Sequence, residues 1–401
     1  MNINQILKEE LQKIVISDDD LLKLRKRADE IISKINCRFC EAFVGGSLAK
    51  GTLMKKNVQD IDIFVVFKNE NDIQKLEEIL TKAKFDFKII HGSRDYFQIK
   101  EEDVVFEIIP VTKTGNNNIT DFSLSHVKYV LKKIKKNPKI VNEIKLAKAF
   151  CYSQNVYGAE SYIKGFSGYA LELLVIYFKS FVNFLKKIDK ERVIDSEKQF
   201  KNKKQIMEEL NESKIKSPLI LIDPTYKFRN VAAGLSKESF SLFLDSAKKF
   251  LKSPSMKFFE KKEISEDNIK KFAKKKNAKF IELLLRTQKQ EGDIAGTKMK
   301  KFFEFIVREL ERKQQRVLMK EFSYDNGNEA KVYLVVRESK EIEIKGPPMS
   351  NKYAVKNFKR VRKKITIKKG FAYACEKVSL DDVFDYLKRF EDEMSVEFEI
   401  L

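Results

Sequence analysis

The chain carries Gly45-Gly46-Ser47-Leu48-Ala49-Lys50 and then, one short loop later, Asp60-Ile61-Asp62-Ile63-Phe64-Val65-Val66-Phe67. The second run alternates at first and then becomes wholly apolar, as a strand at the centre of a sheet does. Side chains alternate across a strand, so Asp60 and Asp62 project from one face while Ile61 and Ile63 enter the core. Two carboxylates on one face of a rigid strand repel each other unless a cation sits between them. Hard oxygen donors suit Mg²⁺, which keeps its other positions for water and substrate phosphate. The glycines let the backbone approach phosphate oxygens, and successive amides form an anion nest. In that reading Gly46 and Ser47 supply donors and Lys50 supplies charge.

Working outward, residues 42–44 read as a strand that stops at Gly45. Ser17-Asp18 opens a helix with Leu21, Leu24, Ala28, Ile31 and Ile35 at helical spacing. Residues 71–82 read as a helix, and 85–90, 96–99 and 104–109 as strands, the last ended by Pro110. Glu107 lies between Phe106 and Ile108, so it faces away from both. A carboxylate on a neighbouring strand is what a second metal position needs, and two metals clamp both oxygens of an in-line displacement. Strand and helix alternate to about residue 110, which argues for one mixed α/β domain.

From Ser123 the pattern turns helical, most clearly over 142–154, 168–188 and 236–251, with Ser236 as an N-cap. Residues 198–204 read as a Lys-rich loop, and Pro254 marks a second boundary. A helix over 297–315 follows. Residues 329–336 and 341–344 read as a hairpin, and Gly346-Pro347-Pro348 breaks the chain. A basic helix over 352–363, strands over 364–367 and 371–378, and a helix over 380–390 make a second α/β unit.

The chain has 401 residues, 80 Lys plus Arg against 59 Asp plus Glu, and a net charge of +21. That excess points to a polyanionic partner, nucleic acid or an anionic surface, although a Lys-rich solvated surface gives the same count. No run approaches the roughly 20 apolar residues needed to span a bilayer, and no signal peptide is visible at the N-terminus. Four cysteines are too few and too scattered for a disulfide framework. Cys37 and Cys40 have CxxC spacing, but the chain's two histidines, His91 and His126, are poor material for completing a zinc site. The expectation is a cytoplasmic protein with no membrane partner; homodimer formation stays open.

At these residues the chain resembles the polymerase-β nucleotidyltransferase superfamily. Tyr157-Gly158-Ala159-Glu160, Lys164-Gly165-Phe166-Ser167-Gly168-Tyr169 and Asp223-Pro224 followed by Arg229-Asn230-Val231-Ala232-Ala233 narrow the resemblance. So do Ser253-Pro254-Ser255 with Phe258-Phe259, and Gly346-Pro347-Pro348. These look like the archaeal-type (class I) CCA-adding enzymes, in order along residues 1–380. The resemblance implies an α+β protein: a polymerase-β-like palm over 1–122, a helical central nucleotide-binding domain over 123–255, and an α/β C-terminal RNA-binding domain over 256–401 with a shortened tail. It implies template-independent addition of C, C and A from CTP and ATP to a tRNA 3′ end, gripped by the acceptor stem and top half, with two Mg²⁺ ions. Asp60, Asp62 and Glu107 would be the metal-binding carboxylates. Ser47 and Lys50 would touch the triphosphate. Ser123, His126, Lys148 and Tyr157 would bind phosphates and sugar, and Arg229 would help read the base edge. Glu107 departs from the Asp usual in the family, as Lys50 does from Arg and Ser123 from Thr.

Basic residues concentrate toward the C-terminus. Lys274, Lys275 and Lys276 belong to one cluster; Lys356, Lys359, Arg360 and Lys363 belong to another, with Tyr353 and Phe358 interleaved. A-form RNA is recognised largely through backbone and shape, which calls for charge. Two other readings stay open: a poly(A) polymerase or other terminal nucleotidyltransferase on the same palm, and a catalytically silent RNA-binding protein.

Overall fold

The stretch Ile3–Ile14 (α1) starts at an Asn2 cap and buries Ile6, Leu7 and Ile14. The computed structural model describes residues 2–38, 40–91, 95–112, 123–261, 265–362 and 364–401. They form two units, Met1–Lys262 and Glu263–Leu401. Lys363, expected above to contact RNA, lies outside the described residues.

Asp18–Ile35 (α2) is capped by Ser17, whose hydroxyl accepts from the Asp20 amide at 3.1 Å, and it buries Leu24, Ala28, Ile31 and Ile35. Then come Cys40–Val44 (β1), the single turn Gly46–Ala49 (α3), Gln59–Phe67 (β2), Lys75–Lys82 (α4), Lys88–Ile90 (β3), Tyr96–Glu101 (β4) and Val104–Thr112 (β5). The sheet order is β1-β2-β5-β4-β3, with β2 parallel to β5 and the other neighbours antiparallel. The expected mixed sheet is therefore present. Ile61, Ile63, Val65 and Phe67 are buried in one cluster with α2 and α4 side chains. The opposite face splits: Phe64, Val66 and Val111 pack against Leu124 and Val127, while Asp60, Asp62 and Glu107 stay out of the apolar layer. Pro110 does not end β5, contrary to the expectation. The β4 ladder stops at Ile108, and beyond it a proline costs no bond on that side.

The rest of the first unit is mostly helical: Ser123–Lys136 (α5), Ile140–Ser153 (α6), Gly168–Phe178 (α7), Phe181–Lys187 (α8), Lys203–Glu209 (α9), Glu212–Ile215 (α10) and Lys237–Lys252 (α11). The single helix expected over 168–188 is two, because Lys179 takes a left-handed φ of 67° and Ser180 caps the second. The Lys-rich loop expected at 198–204 runs into α9. A small sheet of Val193–Ile194 (β6), Ile220–Asp223 (β7) and Tyr226–Asn230 (β8) was not foreseen. Phe150 sits among Phe181, Phe243, Phe250, Phe258 and Phe259 at centroid distances of 5.6, 6.1, 5.7, 6.5 and 5.8 Å. Among the described residues no single helix is long and apolar enough to cross a membrane. The bent pair α7–α8 passes on length and composition, but much of it faces this phenylalanine core.

The second unit holds Glu266–Lys275 (α12), Lys279–Arg286 (β9), Asp293–Arg312 (α13), Arg316–Tyr324 (β10), Glu329–Arg337 (β11), Glu341–Pro348 (β12), Lys352–Val361 (α14), Ile365–Lys368 (β13), Phe371–Lys377 (β14), Leu380–Lys388 (α15), Glu391–Met394 (α16) and Glu397–Ile400 (β15). Its larger sheet runs β10-β11-β9-β15 and its smaller one β12-β14-β13. The hairpin expected over 329–344 is absent: β11 pairs with β10 and β9, and β12 pairs with β14. Gly346-Pro347-Pro348 does not break the chain but ends β12 with an irregular register. A Cβ on Gly346 would lie 2.7 Å from the Phe358 ring, so glycine lets α14 sit on that strand.

The Phe150→Ala variant should lose about 3–5 kcal/mol in the transition that reports the first unit, measured by urea unfolding. Tyr353→Ala, at a position 77% exposed, should leave that transition unmoved. A Phe150→Ala protein as stable as the parent would contradict the assigned core.

Candidate active site

Parallel pairing of β2 with β5 sets Asp62 directly opposite Glu107 and Asp60 opposite Val105. Asp62 and Glu107 thus share a face of adjacent strands, as the alternation of each strand required. Gly46 closes over them with φ +52°, and a Cβ built there would overlap the Asp62 carboxylate. A Cβ on Gly45 would meet the Phe64 ring, and the Gly45 amide donates to the Asp62 carbonyl at 2.8 Å. Both glycines are therefore demanded by close approach to β2, and Gly46 also by its backbone conformation.

Electrostatics follow the geometry. Burial, then the neighbouring Asp62, pushes the Glu107 carboxyl up to about 7, against a 3.0 Å hydrogen bond donated by Gln98. Burial also raises Asp62, opposed by Lys50 and Lys148. Asp60 is half-exposed and turned toward Lys56, whose ammonium lies 3.2 Å from it. Among the described residues no three His, Cys, Asp or Glu side chains converge closely enough to hold an ion as they stand. The donor set nevertheless fits a hard divalent cation. Asp62 and Glu107 are register partners whose negative charges oppose ionisation of each other, and a cation would relieve that. Asp60 would join by leaving Lys56. Cys37 and Cys40 bring their sulfurs within 2.9 Å at the far end of β1, and both are free thiols with no metal cluster around them among the described residues.

The cations expected to meet a triphosphate are both tied down. Lys50, capping α3, and Lys148, on α6, each bond to Glu172 of α7, at 2.6 and 2.8 Å. Glu172 is fully buried, which alone would raise its carboxyl, yet Lys148 and Lys50 hold it down to about 2. Sequence reasoning missed Glu172. The signal was there: it is the one charged residue in the apolar run Gly168–Phe178. Tyr157 follows α6, and burial pushes its hydroxyl up to about 12. A Cβ on Gly168 would lie 3.2 Å from that hydroxyl and 3.8 Å from the Lys148 ammonium, so all three meet at the start of α7. Lys56 also lies over the Tyr157 ring, 5.6 Å from its centroid.

A third group gathers around Asp223 at the end of β7. Its Oδ1 accepts from Tyr169 at 3.2 Å and from the Thr225 hydroxyl at 2.7 Å. Its Oδ2 lies 2.9 Å from His126 Nε2, and Arg229 approaches Oδ2 at 3.7 Å. The His126 ring, on α5, stacks on Tyr169 with centroids 4.0 Å apart. Arg229 lies on β8, beside its partner. Ser123 is the first residue of α5, with its hydroxyl outside the described atoms. Burial lowers His126 despite Asp223, and Asp223 stays ionised below the usual carboxylate range, held there against burial chiefly by its bond to His126. The tautomer with the proton on Nε2, donating to Asp223, satisfies both. Lys50 acts on both Asp62 and His126, so the three groups share one electrostatic neighbourhood.

Residues 25–148 match the nucleotidyltransferase domain family, and residues 142–260 match the tRNA nucleotidyltransferase second domain. The CCA-adding enzyme of Nanoarchaeum equitans is 40% identical over 257 residues, 61% of this chain and 64% of that protein. That of Methanocaldococcus jannaschii is 33% identical over 282 residues, 65% of this chain and 62% of that protein. Over residues 25–260 this chain carries a nucleotidyltransferase domain followed by a tRNA nucleotidyltransferase second domain. It spans under two thirds of the length of these relatives. Over 65% of its length the chain also shares its fold with a cytoplasmic RNA terminal U-transferase, at TM-score 0.52 and 16% identity, covering 99% of that one. A crystal structure of the Cid1 poly(U) polymerase gives TM-score 0.52 at 14% identity, over 64% of this chain and 98% of that one.

Because its folded-state pKa lies below the ordinary 6.5, His126 should be mostly neutral at pH 6.5. The unfolded chain then binds the proton more tightly, so this residue's share of stability is whole above pH 6.5 and is lost as pH falls below it. Ring-nitrogen NMR shifts check this: a mostly neutral ring is expected, and a mainly imidazolium ring at that pH would contradict it.

Proposed function

We propose that the protein is a CCA-adding tRNA nucleotidyltransferase, transferring CMP twice and AMP once to a tRNA 3′ end with release of pyrophosphate. The observation that carries this reading is the register pairing of Asp62 with Glu107 beneath Gly46, within reach of the field of Lys50 and Lys148. The 33–40% identity to CCA-adding enzymes supports the substrate.

Asp62 and Glu107 would hold Mg²⁺, joined by Asp60 once it leaves Lys56. Two such ions, when bound, supply Lewis-acid charge at the transferring phosphate. The chain's own residues do the rest. The Gly45–Gly46 turn keeps side chains out of the space over Asp62, so a phosphate can approach with Ser47 beside it. Lys50, Lys148 and Tyr157 would take the non-reacting phosphates. Arg229, on a strand with its guanidinium 3.7 Å from Asp223, would present its forked donors to the edge of cytosine or adenine, and Asp223, itself held by the neutral His126, would orient it.

In this reading residues 1–122 form the catalytic palm, 123–255 the nucleotide-binding middle and 256–401 the tRNA-binding part. Lys274, Lys275 and Lys276 at the end of α12 are exposed, as are Lys356, Lys359 and Arg360 on α14. Those two basic faces suit the phosphates of an RNA helix.

The test is incorporation of labelled CTP and ATP into tRNA lacking its CCA end. The parent should add three nucleotides and stop. The Asp60→Ala, Asp62→Ala double variant should lose activity by at least about a thousandfold. ATP-only addition that keeps extending would replace this reading with a poly(A) polymerase. Binding of tRNA without incorporation of any nucleotide would leave an RNA-binding protein. Exchanging Lys356, Lys359 and Arg360 for Ala together should weaken tRNA binding, more steeply at low salt, and leave CTP binding unchanged.

A further inference from the structure

Glu172 divides its two carboxylate oxygens between two cations. Oε2 accepts from Lys50 Nζ at 2.6 Å, and Oε1 accepts from Lys148 Nζ at 2.8 Å and from the Thr52 hydroxyl at 2.8 Å. The Thr52 hydroxyl in turn accepts from Lys148 at 3.0 Å. Glu172, Thr52 and Lys148 are buried. The set ties three stretches of chain together: the residues just after α3, the middle of α6 and the first turns of α7.

Stability alone is a weak reason for such a set. The cost of removing buried charges from water offsets most of their attraction, and well-packed apolar side chains serve as well or better. What the arrangement does secure is placement. An ammonium on a four-carbon stem is among the most flexible cations a protein has, with three donors and no preferred plane. Here Lys148 directs its donors at Thr52 and Glu172, and Lys50 spends one on Glu172. By bonding each lysine with a different oxygen, one carboxylate holds both ammonium groups in a single arrangement. Both cations also act on the Asp62 carboxylate, so the pair lies beside the expected metal position.

We propose that Glu172, with Thr52, is the positioning residue for the triphosphate: it holds Lys50 and Lys148 at a fixed spacing before the nucleotide arrives, so that the two ammonium groups meet the non-reacting phosphates together. Glu172 touches no reacting atom and acts through the lysines. This rests on the nucleotide-transfer reading above. Its consequence is selective, because a nucleoside monophosphate lacks the phosphates concerned. Loss of Glu172 weakens CTP and spares CMP, and it raises KM for CTP more than it lowers kcat. A residue that merely supports the fold would instead reduce the active fraction, lowering kcat with KM and the CTP-to-CMP ratio intact.

The experiment uses the full chain with Mg²⁺ and measures equilibrium binding of CTP and of CMP, with circular dichroism to confirm folding. The Glu172→Gln variant should bind CTP about tenfold or more weakly and CMP as the parent does. Glu172→Asp, which keeps the charge, should recover part of the loss. A folded Glu172→Gln protein with an unchanged CTP-to-CMP ratio would overturn the proposal. Should that variant fail to fold, Thr52→Val carries the test, since it removes the shared hydroxyl and leaves every charge in place. It should lower the ratio about threefold, and an unchanged ratio overturns the proposal equally. A parent protein that binds neither CTP nor ATP sinks the nucleotide reading itself, an outcome distinct from a parent that binds and a variant that binds alike.

Discussion

Across the parallel β2–β5 pair, Asp62 and Glu107 stand directly opposite each other, and the charge on each opposes ionisation of the other. The residues nearby are arranged around that pair. Gly46 has no side chain because the Asp62 carboxylate occupies the space one would need. One face of β2 is saturated with Ile61, Ile63, Val65 and Phe67, which pins the strand's orientation, since a slip of one residue would bury both aspartates. Toward the strand's far end Phe64 and Val66 are covered by Leu124 and Val127 of α5, so the polar stretch is confined to the end beneath the glycine turn. Glu107 at about 7 shows how strained the pair is: burial and its neighbour together bring the carboxyl near half-protonation at neutral pH.

The two halves of the first unit meet through charge at this site. Lys50 and Thr52 come from the palm, and Lys148 and Glu172 come from α6 and α7. The aromatic cluster around Phe150 holds α6 against α8 and α11, and through Phe258 and Phe259 it ties in the chain that follows α11. A deformation of that core would be felt first where Lys148 meets Glu172, because a buried ion set tolerates little displacement. The Asp223 group is built differently. A histidine, a tyrosine, a threonine and an arginine converge on one carboxylate, and the guanidinium stays partly exposed.

Much of the palm was legible because its rules are local. Alternation placed Asp60, Asp62 and Glu107 on their faces, and helical spacing identified the buried side of α2. The regions that misled reading are those where partners lie far apart in sequence. Residues 329–336 and 341–344 are adjacent strands with a short link, which looks like a hairpin, yet β9 and β10 flank the first and β14 takes the second. Gly-Pro-Pro looked like an end, but the glycine is there for Phe358. Lys179 carries no helix-breaking residue type, so the bend between α7 and α8 left no mark beyond the Ser180 cap. At the site, Glu172, the partner of Lys50 and Lys148, escaped notice because it comes from a helix whose apolar character points to the core.

The central claim is that the Asp62–Glu107 pair is a divalent-cation site created by strand register. Mn²⁺ binding in the presence of CTP, followed by electron paramagnetic resonance, tests it without turnover. The parent should bind Mn²⁺ tightly, and Asp62→Asn with Glu107→Gln should abolish that signal while circular dichroism stays unchanged. Undiminished Mn²⁺ binding by the folded double variant would contradict the account.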